Sequence, residues 1–184
     1  MEVFMKQFYT VITILVVLAI AVILALAAGK PDTFRVERSI VIKAGVTKIY
    51  PLINDFHNWT AWSPYEKMDP GIKRTYSGPA TGKGSIYAWE SKNMGGQMEI
   101  TDSNPNTVDI TINFTRPMQA QNMVRYTLEP SDGSTKVTWA MYGPNSYAAK
   151  LMHVFMDMDV ILGAQFEEGL TMLKSAAEAP EKKK

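Results

Sequence analysis

The chain carries two histidines, His57 and His153, the side chains best suited to moving protons near neutral pH, and neither stands in a metal-ligand or nucleophile spacing. His153 and Asp157 are four residues apart, the separation at which two side chains on one helix meet. The pair therefore reads either as a surface ion pair or as a proton relay. Cysteine is absent, which removes disulfides, thiolate catalysis and zinc–thiolate sites together. Gly78 to Ser85 has the glycines and lysine of a phosphate loop, but the spacing is one residue short and a strand follows it. A phosphate loop must open a helix whose amides hold the anion, so this segment is expected to be a hairpin turn. Asn58-Trp59-Thr60 and Asn113-Phe114-Thr115 match the glycosylation pattern, which is too common to assign, and the second falls within a strand. No catalytic residue, metal site or cofactor is predicted.

The side chains left to carry function are apolar. Twelve Met and four Trp suggest an interior of adaptable and bulky groups, the kind that lines cavities. A formal charge of +1, from 19 basic and 18 acidic residues, gives no electrostatic footprint for nucleic acid. Lys182 to Lys184 is a basic tail below the usual size of a headgroup-binding cluster.

Phe8 to Ala28 is free of charge, and at about 1.5 Å of rise per residue it spans roughly 31 Å, the thickness of a hydrocarbon core. Residues 1–30 are read as a membrane anchor that crosses once. A cleaved signal is the alternative, because Lys6 and Ala25-Leu26-Ala27 supply a positive start and a small-residue site, but a signal's apolar stretch is usually shorter. Lysines and arginines fall on both sides of the run, and long domains translocate largely regardless of charge, so the side of the remaining chain is undecided.

Residues 31–179 are expected to form one domain, followed by a disordered tail at 180–184. Arg35 to Ile42 alternates as a strand. Thr47 to Phe56 has helical spacing, and Trp59 and Trp62 continue its face into a second short helix before Pro64, with Asp55 as cap and Pro51 in a first turn or kink. Runs near 72–77, 85–91, 96–102, 107–115, 122–129 and 134–142 form an antiparallel meander broken by turn clusters, of which Ser131-Asp132-Gly133-Ser134 is the sharpest hairpin signal. Alternation puts Val108, Ile110, Ile112 and Phe114, then Val124, Tyr126 and Leu128, then Val137, Trp139 and Met141 on one face. A long helix capped by Asn145 or Ser146 covers that face with Leu151, Phe155, Met158, Leu162, Phe166, Leu170, Leu173 and Ala177.

This order resembles the helix-grip fold of the START-like (SRPBCC) superfamily, and especially its polyketide cyclase/dehydrase and lipid-transport family. Val36 to Ala44 is similar to that family's opening strand. Ile53-Asn54-Asp55-Phe56-His57-Asn58-Trp59-Thr60-Ala61-Trp62-Ser63-Pro64 resembles its Asp-aromatic-x-x-Trp-x-x-Trp-x-Pro segment, and Gly163 to Lys174 its helical signature. The likeness covers about Phe34 to Ala177. It departs at Ala44-Gly45, where members commonly carry Ala-Pro, and at Tyr50-Pro51, where they carry Trp or Phe. The resemblance implies an α+β fold: a curved antiparallel sheet of about seven strands around a long C-terminal helix, here preceded by one transmembrane helix.

A sheet clasping one helix leaves an apolar gap. Its expected lining is Trp59, Trp62, Tyr87, Trp89, Met98, Phe114, Tyr126, Trp139, Met141, Met158, Leu162 and Phe166, although each of these alone could simply fill a solid core. Trp59 and Trp62 either gate the gap or plug its end. Three readings follow. In the first, a membrane-anchored domain binds an apolar small molecule or lipid. In the second, a cyclase- or dehydrase-type enzyme works in the same cavity with Tyr87, Tyr126 or His153 as acid or base. In the third, a structural or partner-binding module has a filled core.

Overall fold

The computed structural model describes residues 2–68 and 71–180. The expected tail therefore lies, from residue 181 onward, outside the described residues, and the headgroup reading of Lys182 to Lys184 lies there with it. The chain divides into two compact units, residues 1–34 with 144–158, and residues 35–143 with 159–184.

The larger unit holds a seven-stranded sheet in the order β1-β7-β6-β5-β4-β3-β2. Its strands are β1 (Thr33–Ile42), β2 (Lys73–Ser77), β3 (Ile86–Glu90), β4 (Gly95–Asn104), β5 (Thr107–Arg116), β6 (Ala120–Ser131) and β7 (Ser134–Pro144). From β2 to β7 each strand pairs antiparallel with the next. The β6–β7 link is the expected two-residue hairpin, with Asp132 and Gly133 both at positive φ, the geometry that matches strand twist. The glycine-rich run after β2 is a hairpin loop, in which Gly78, Gly82 and Gly84 also take positive φ.

Between β1 and β2 lie α2 (Val46–Asn54), a 3-10 turn (Phe56–Ala61) and the one-turn α3 (Tyr65–Met68). Asp55 caps the 3-10 turn by accepting from the His57 amide at 2.9 Å. Pro51 sits inside α2, in its second turn rather than its first, where it can give no N–H to the Thr47 carbonyl.

The long terminal helix is two helices. In α4 (Tyr147–Phe155) Ser146 caps the first turn by accepting from the Ala149 amide at 3.2 Å. Met156 then turns extended, and α5 (Met158–Glu178) begins afresh. The expected continuous stripe therefore splits: Phe155 is 71 % exposed, whereas Phe166, Leu170, Leu173 and Ala177 of α5 are buried. Apolar periodicity ran through the break because Phe155 and Met158 keep the same spacing, and the pattern does not say which surface each side chain meets.

Within the larger unit α5 lies on the inner face of the sheet. Phe166 stacks on Trp139 at 4.3 Å, and a Cβ on Gly169 would sit 2.7 Å from the Trp139 ring, so glycine there lets helix and strand close together. Arg38 of β1 ties down the start of α5 through Asp159 and Glu167, each at 2.9 Å. At the far end Lys174 donates to the Val41 carbonyl, and Glu178 accepts from the Lys43 amide at 2.6 Å.

The smaller unit consists of α1 (Glu2–Ala28), the start of β1, and α4, which packs on α1. Phe4–Ala28 is long and apolar enough to cross a membrane, and almost all of it is exposed. That is evidence for a span by length and composition.

Candidate ligand-binding site

The inner face of the larger unit is lined by rings in mutual contact. Tyr126 on β6 and Trp139 on β7 are cross-strand neighbours with ring centroids 5.1 Å apart, and both lie on the wall that α5 covers. Trp62 meets both rings edge-on, Trp59 meets Tyr126, and Tyr65 meets Trp139. The two tryptophans of the 3-10 segment are fixed by their indole N–H groups. Trp59 donates to the Ile53 carbonyl at 2.9 Å and Trp62 to the Leu52 carbonyl at 2.8 Å. A satisfied donor on a fully buried ring makes both a firm end wall.

Two polar atoms in this wall lack a partner among the described residues: the Tyr126 hydroxyl and the Trp139 Nε1 are buried without a hydrogen bond. Such groups are rare in folded proteins because an unpaired buried donor forfeits its hydration. Burial pushes the Tyr126 phenol well above its ordinary range, so at neutral pH it holds its proton. Tyr65 is also pushed up by burial, and it donates to Gln165 Oε1 at 2.9 Å. The site thus presents donors rather than bases.

A second polar cluster lies along the β2–β3 side. The Glu66 carboxylate is almost wholly buried and accepts from the Tyr87 hydroxyl at 2.6 Å and from Arg74 Nε at 2.5 Å. Burial first, then the Glu66 hydrogen bond, raise the Tyr87 phenol above its usual range. From Tyr87 the rings run outward to Tyr76, stacked at 5.2 Å, and on to His57, stacked on Tyr76 at 4.2 Å. They run inward through Phe56 to Trp59. At the outer end is a cavity of about 220 Å³ between Phe56, His57, Tyr76, Pro79, Ser85 and Ile86. None of its lining belongs to the expected set. Phe56 and Tyr76 carried a sequence signal, since Phe56 lies in the Trp-x-x-Trp segment and Tyr76 in a strand beside Gly78, but nothing marked them as cavity walls.

Of the expected lining, Trp59, Trp62, Tyr87, Met98, Tyr126, Trp139, Met141 and Phe166 are buried, and all belong to the larger unit. Trp89, Phe114 and Leu162 are partly exposed. Trp89 lies against Phe114 and over Gly96, where any Cβ would meet its ring. Met158 opens α5 but belongs to the smaller unit. His153 lies there too, 3.3 Å from Asn145 Nδ2. Asp157 falls after α4 has ended, so the two do not share a helix. Burial, with Lys30 adding to it, lowers the His153 pKa, so the ring is neutral at physiological pH.

An antiparallel sheet closed over one long helix, with its aromatic wall between them, defines the helix-grip class. Residues 33–178 match the family described as polyketide cyclase / dehydrase and lipid transport, and the chain belongs to that family. Solved structures share the fold at low identity. Protein CV1439 from Chromobacterium violaceum superposes with a TM-score of 0.58 at 14 % identity, over 82 % of this chain and 100 % of that one. The di-domain ARO/CYC BexL from the BE-7585A biosynthetic pathway gives 0.60 at 12 %, over 85 % of this chain and 53 % of its own. Ara h 8.0201 gives 0.55 at 14 %, over 79 % and 97 %. No curated protein matches the chain.

Proposed function

We propose that this protein is a membrane-tethered binder of a small, mostly apolar molecule, of lipid character and carrying an oxygen acceptor, held between the inner face of the sheet and α5. The observation that carries the reading is the pair of unpartnered donors, Tyr126 Oη and Trp139 Nε1, adjacent on neighbouring strands inside an otherwise apolar wall. Pockets for such ligands are apolar with a few placed polar groups, and a buried donor without a partner suits a carbonyl or ether oxygen. Trp59, Trp62, Met141, Leu162 and Phe166 supply the apolar surround. A continuous set of ring contacts runs from Tyr126 through Trp59, Phe56 and Tyr87 towards the cavity beside His57. The apolar α1 supports tethering, which raises the concentration of the site beside the bilayer from which such a ligand comes.

A cyclase-type reading lacks a base at the aromatic wall among the described residues: burial pushes Tyr87 and Tyr126 upward, so both hold their protons at neutral pH, and His153 belongs to the other unit. The test is native mass spectrometry of the full chain extracted from its host membrane in mild detergent. A co-purifying apolar molecule is expected with the native chain, and its occupancy falls in Tyr126→Phe and Trp139→Phe. A native chain that stays empty after incubation with a total lipid extract overturns the proposal.

A further inference from the structure

In α4 a cation is buried while apolar side chains are exposed. Lys150 is nearly buried, with its ammonium 2.5 Å from the carboxylate of the exposed Asp32, whose pKa the Lys150 hydrogen bond lowers. Asn145 is buried too. Its amide donates to the Pro31 carbonyl at 3.0 Å, and its backbone N–H donates to the Asp32 carbonyl at 2.7 Å. Outward instead point Ala148, Met152 and Phe155, at helical intervals of four and three, with Met156 following. A helix packed on a core in water shows the reverse, apolar stripe inward and charge outward.

Its neighbour supplies the reason. Within this unit α4 packs on α1, and the Tyr147 hydroxyl donates to the Leu24 carbonyl at 3.1 Å. Leu24 lies four residues before the end of the apolar run at Ala28, so at 1.5 Å per residue the start of α4 is level with a point roughly 6 Å inside that end. Amphipathic helices and tyrosines settle at that depth of a bilayer.

We propose that α4 is a second lipid-contacting element, an interfacial helix whose Met152, Phe155 and Met156 face lies at the boundary between headgroups and acyl chains of the bilayer that α1 spans. The inference rests on the reading of α1 as a membrane span. Lys150 then acts as a staple: buried under α4, it reaches the exposed Asp32 carboxylate and fixes α4 against the segment that follows α1, so the apolar face is presented at one depth.

The chain has no cysteine, so single labels can be placed cleanly. Full-length Met152→Cys, Phe155→Cys, Val16→Cys and Glu129→Cys variants, spin-labelled and reconstituted in phosphatidylcholine/phosphatidylglycerol vesicles, are read by collision with oxygen and with a water-soluble nickel chelate. The proposal expects positions 16, 152 and 155 to favour oxygen several-fold over the Glu129 control, with 152 and 155 shallower than 16. If 16 is lipid-embedded while 152 and 155 match the control, α4 faces water; the proposal fails and the span stands. If 152 and 155 are shielded from both reagents, a protein covers them, a second copy included, and the proposal fails again. If position 16 itself meets the chelate freely, the span reading and the proposal fall together.

Discussion

Tyr126→Phe separates stability from function with opposite signs. The Tyr126 hydroxyl is buried without a partner among the described residues, an arrangement that costs about 1–3 kcal/mol relative to a satisfied or absent group. Phenylalanine keeps the ring that packs on Trp139 and meets Trp59 and Trp62, and deletes the oxygen alone. The substitution should therefore stabilise delipidated protein by about 1 kcal/mol, which for a chain of this size raises Tm by about 2–4 °C. Trp139→Phe is the counter-case. It removes the other unpaired donor but also empties ring volume against Phe166, whose stack at 4.3 Å it breaks, and it should destabilise by about 1–3 kcal/mol. Urea and thermal unfolding of the full chain in detergent, followed by tryptophan fluorescence, read both. With ligand bound the order reverses, because Tyr126→Phe loses a hydrogen bond worth about 1 kcal/mol and binds up to roughly tenfold more weakly. A Tyr126→Phe protein less stable than the native chain by about 1 kcal/mol or more would mean that the hydroxyl is satisfied in the empty fold, and the argument for a ligand acceptor would be lost.

Gly96→Ala should cost about 1–3 kcal/mol in the same unfolding assay, because the new methyl would meet the Trp89 ring and stand 2.7 Å from the Asn113 carbonyl, a backbone atom that cannot step aside. Gly163→Ala should lower Tm by displacing the Arg38 guanidinium, and a double-mutant cycle with Asp159→Asn should show strong coupling if that displacement is the cause. Glu66→Gln should destabilise by about 1–2 kcal/mol, since it leaves Arg74 without its carboxylate while Tyr87 keeps an acceptor; no change would show that Arg74 is solvated instead. The pH dependence has a definite sign. Asp159 is held below the usual carboxylate range by the Arg38 hydrogen bond, and Glu178 by the Lys43 backbone N–H. Because the folded values lie below the unfolded ones, their stabilisation is full above the ordinary carboxylate range and is lost as pH falls through it. Asp159→Asn should flatten the acid limb of a Tm-against-pH curve.

The sheet was legible because its signals are local. Alternation over Val108 to Phe114 and Val124 to Leu128 requires one buried face, and Asp132-Gly133 fixes a two-residue turn, so the strands came out within a few residues of their observed ends. The family segment around Trp59 and Trp62 was legible for a similar reason, as aromatic spacing on a short turn. The cavity beside His57 was not, because it depends on how far the loop from Gly78 to Ser85 folds back over Phe56, a long-range matter on which periodicity is silent. Nor could the unpaired state of Tyr126 and Trp139 be read from residue types, since both usually find partners when buried.

The misjudged helix has the same root and a larger consequence. Leu151, Phe155, Met158 and Leu162 keep helical spacing across Met156, and a stripe of that kind is ordinarily assigned to a protein core because in water an apolar face has nowhere else to go. Beside a membrane-spanning helix that premise fails, since lipid offers a second apolar phase and the stripe can divide between the two. Phe166, Leu170 and Leu173 are buried against protein, whereas Phe155 is exposed and Lys150 is buried. On the proposal that α4 lies at the bilayer interface, the helix break at Met156 is where the two environments meet in the sequence, and a buried lysine beside exposed apolar residues, rather than the spacing of those residues, tells them apart. Exchanging the two preferences should reveal which solvent the helix meets. Phe155→Lys should leave the unfolding of the full chain in detergent unaffected while making position 152 accessible to the nickel chelate in vesicles. A variant whose label at 152 stays buried in lipid would show that α1 alone sets the depth of α4.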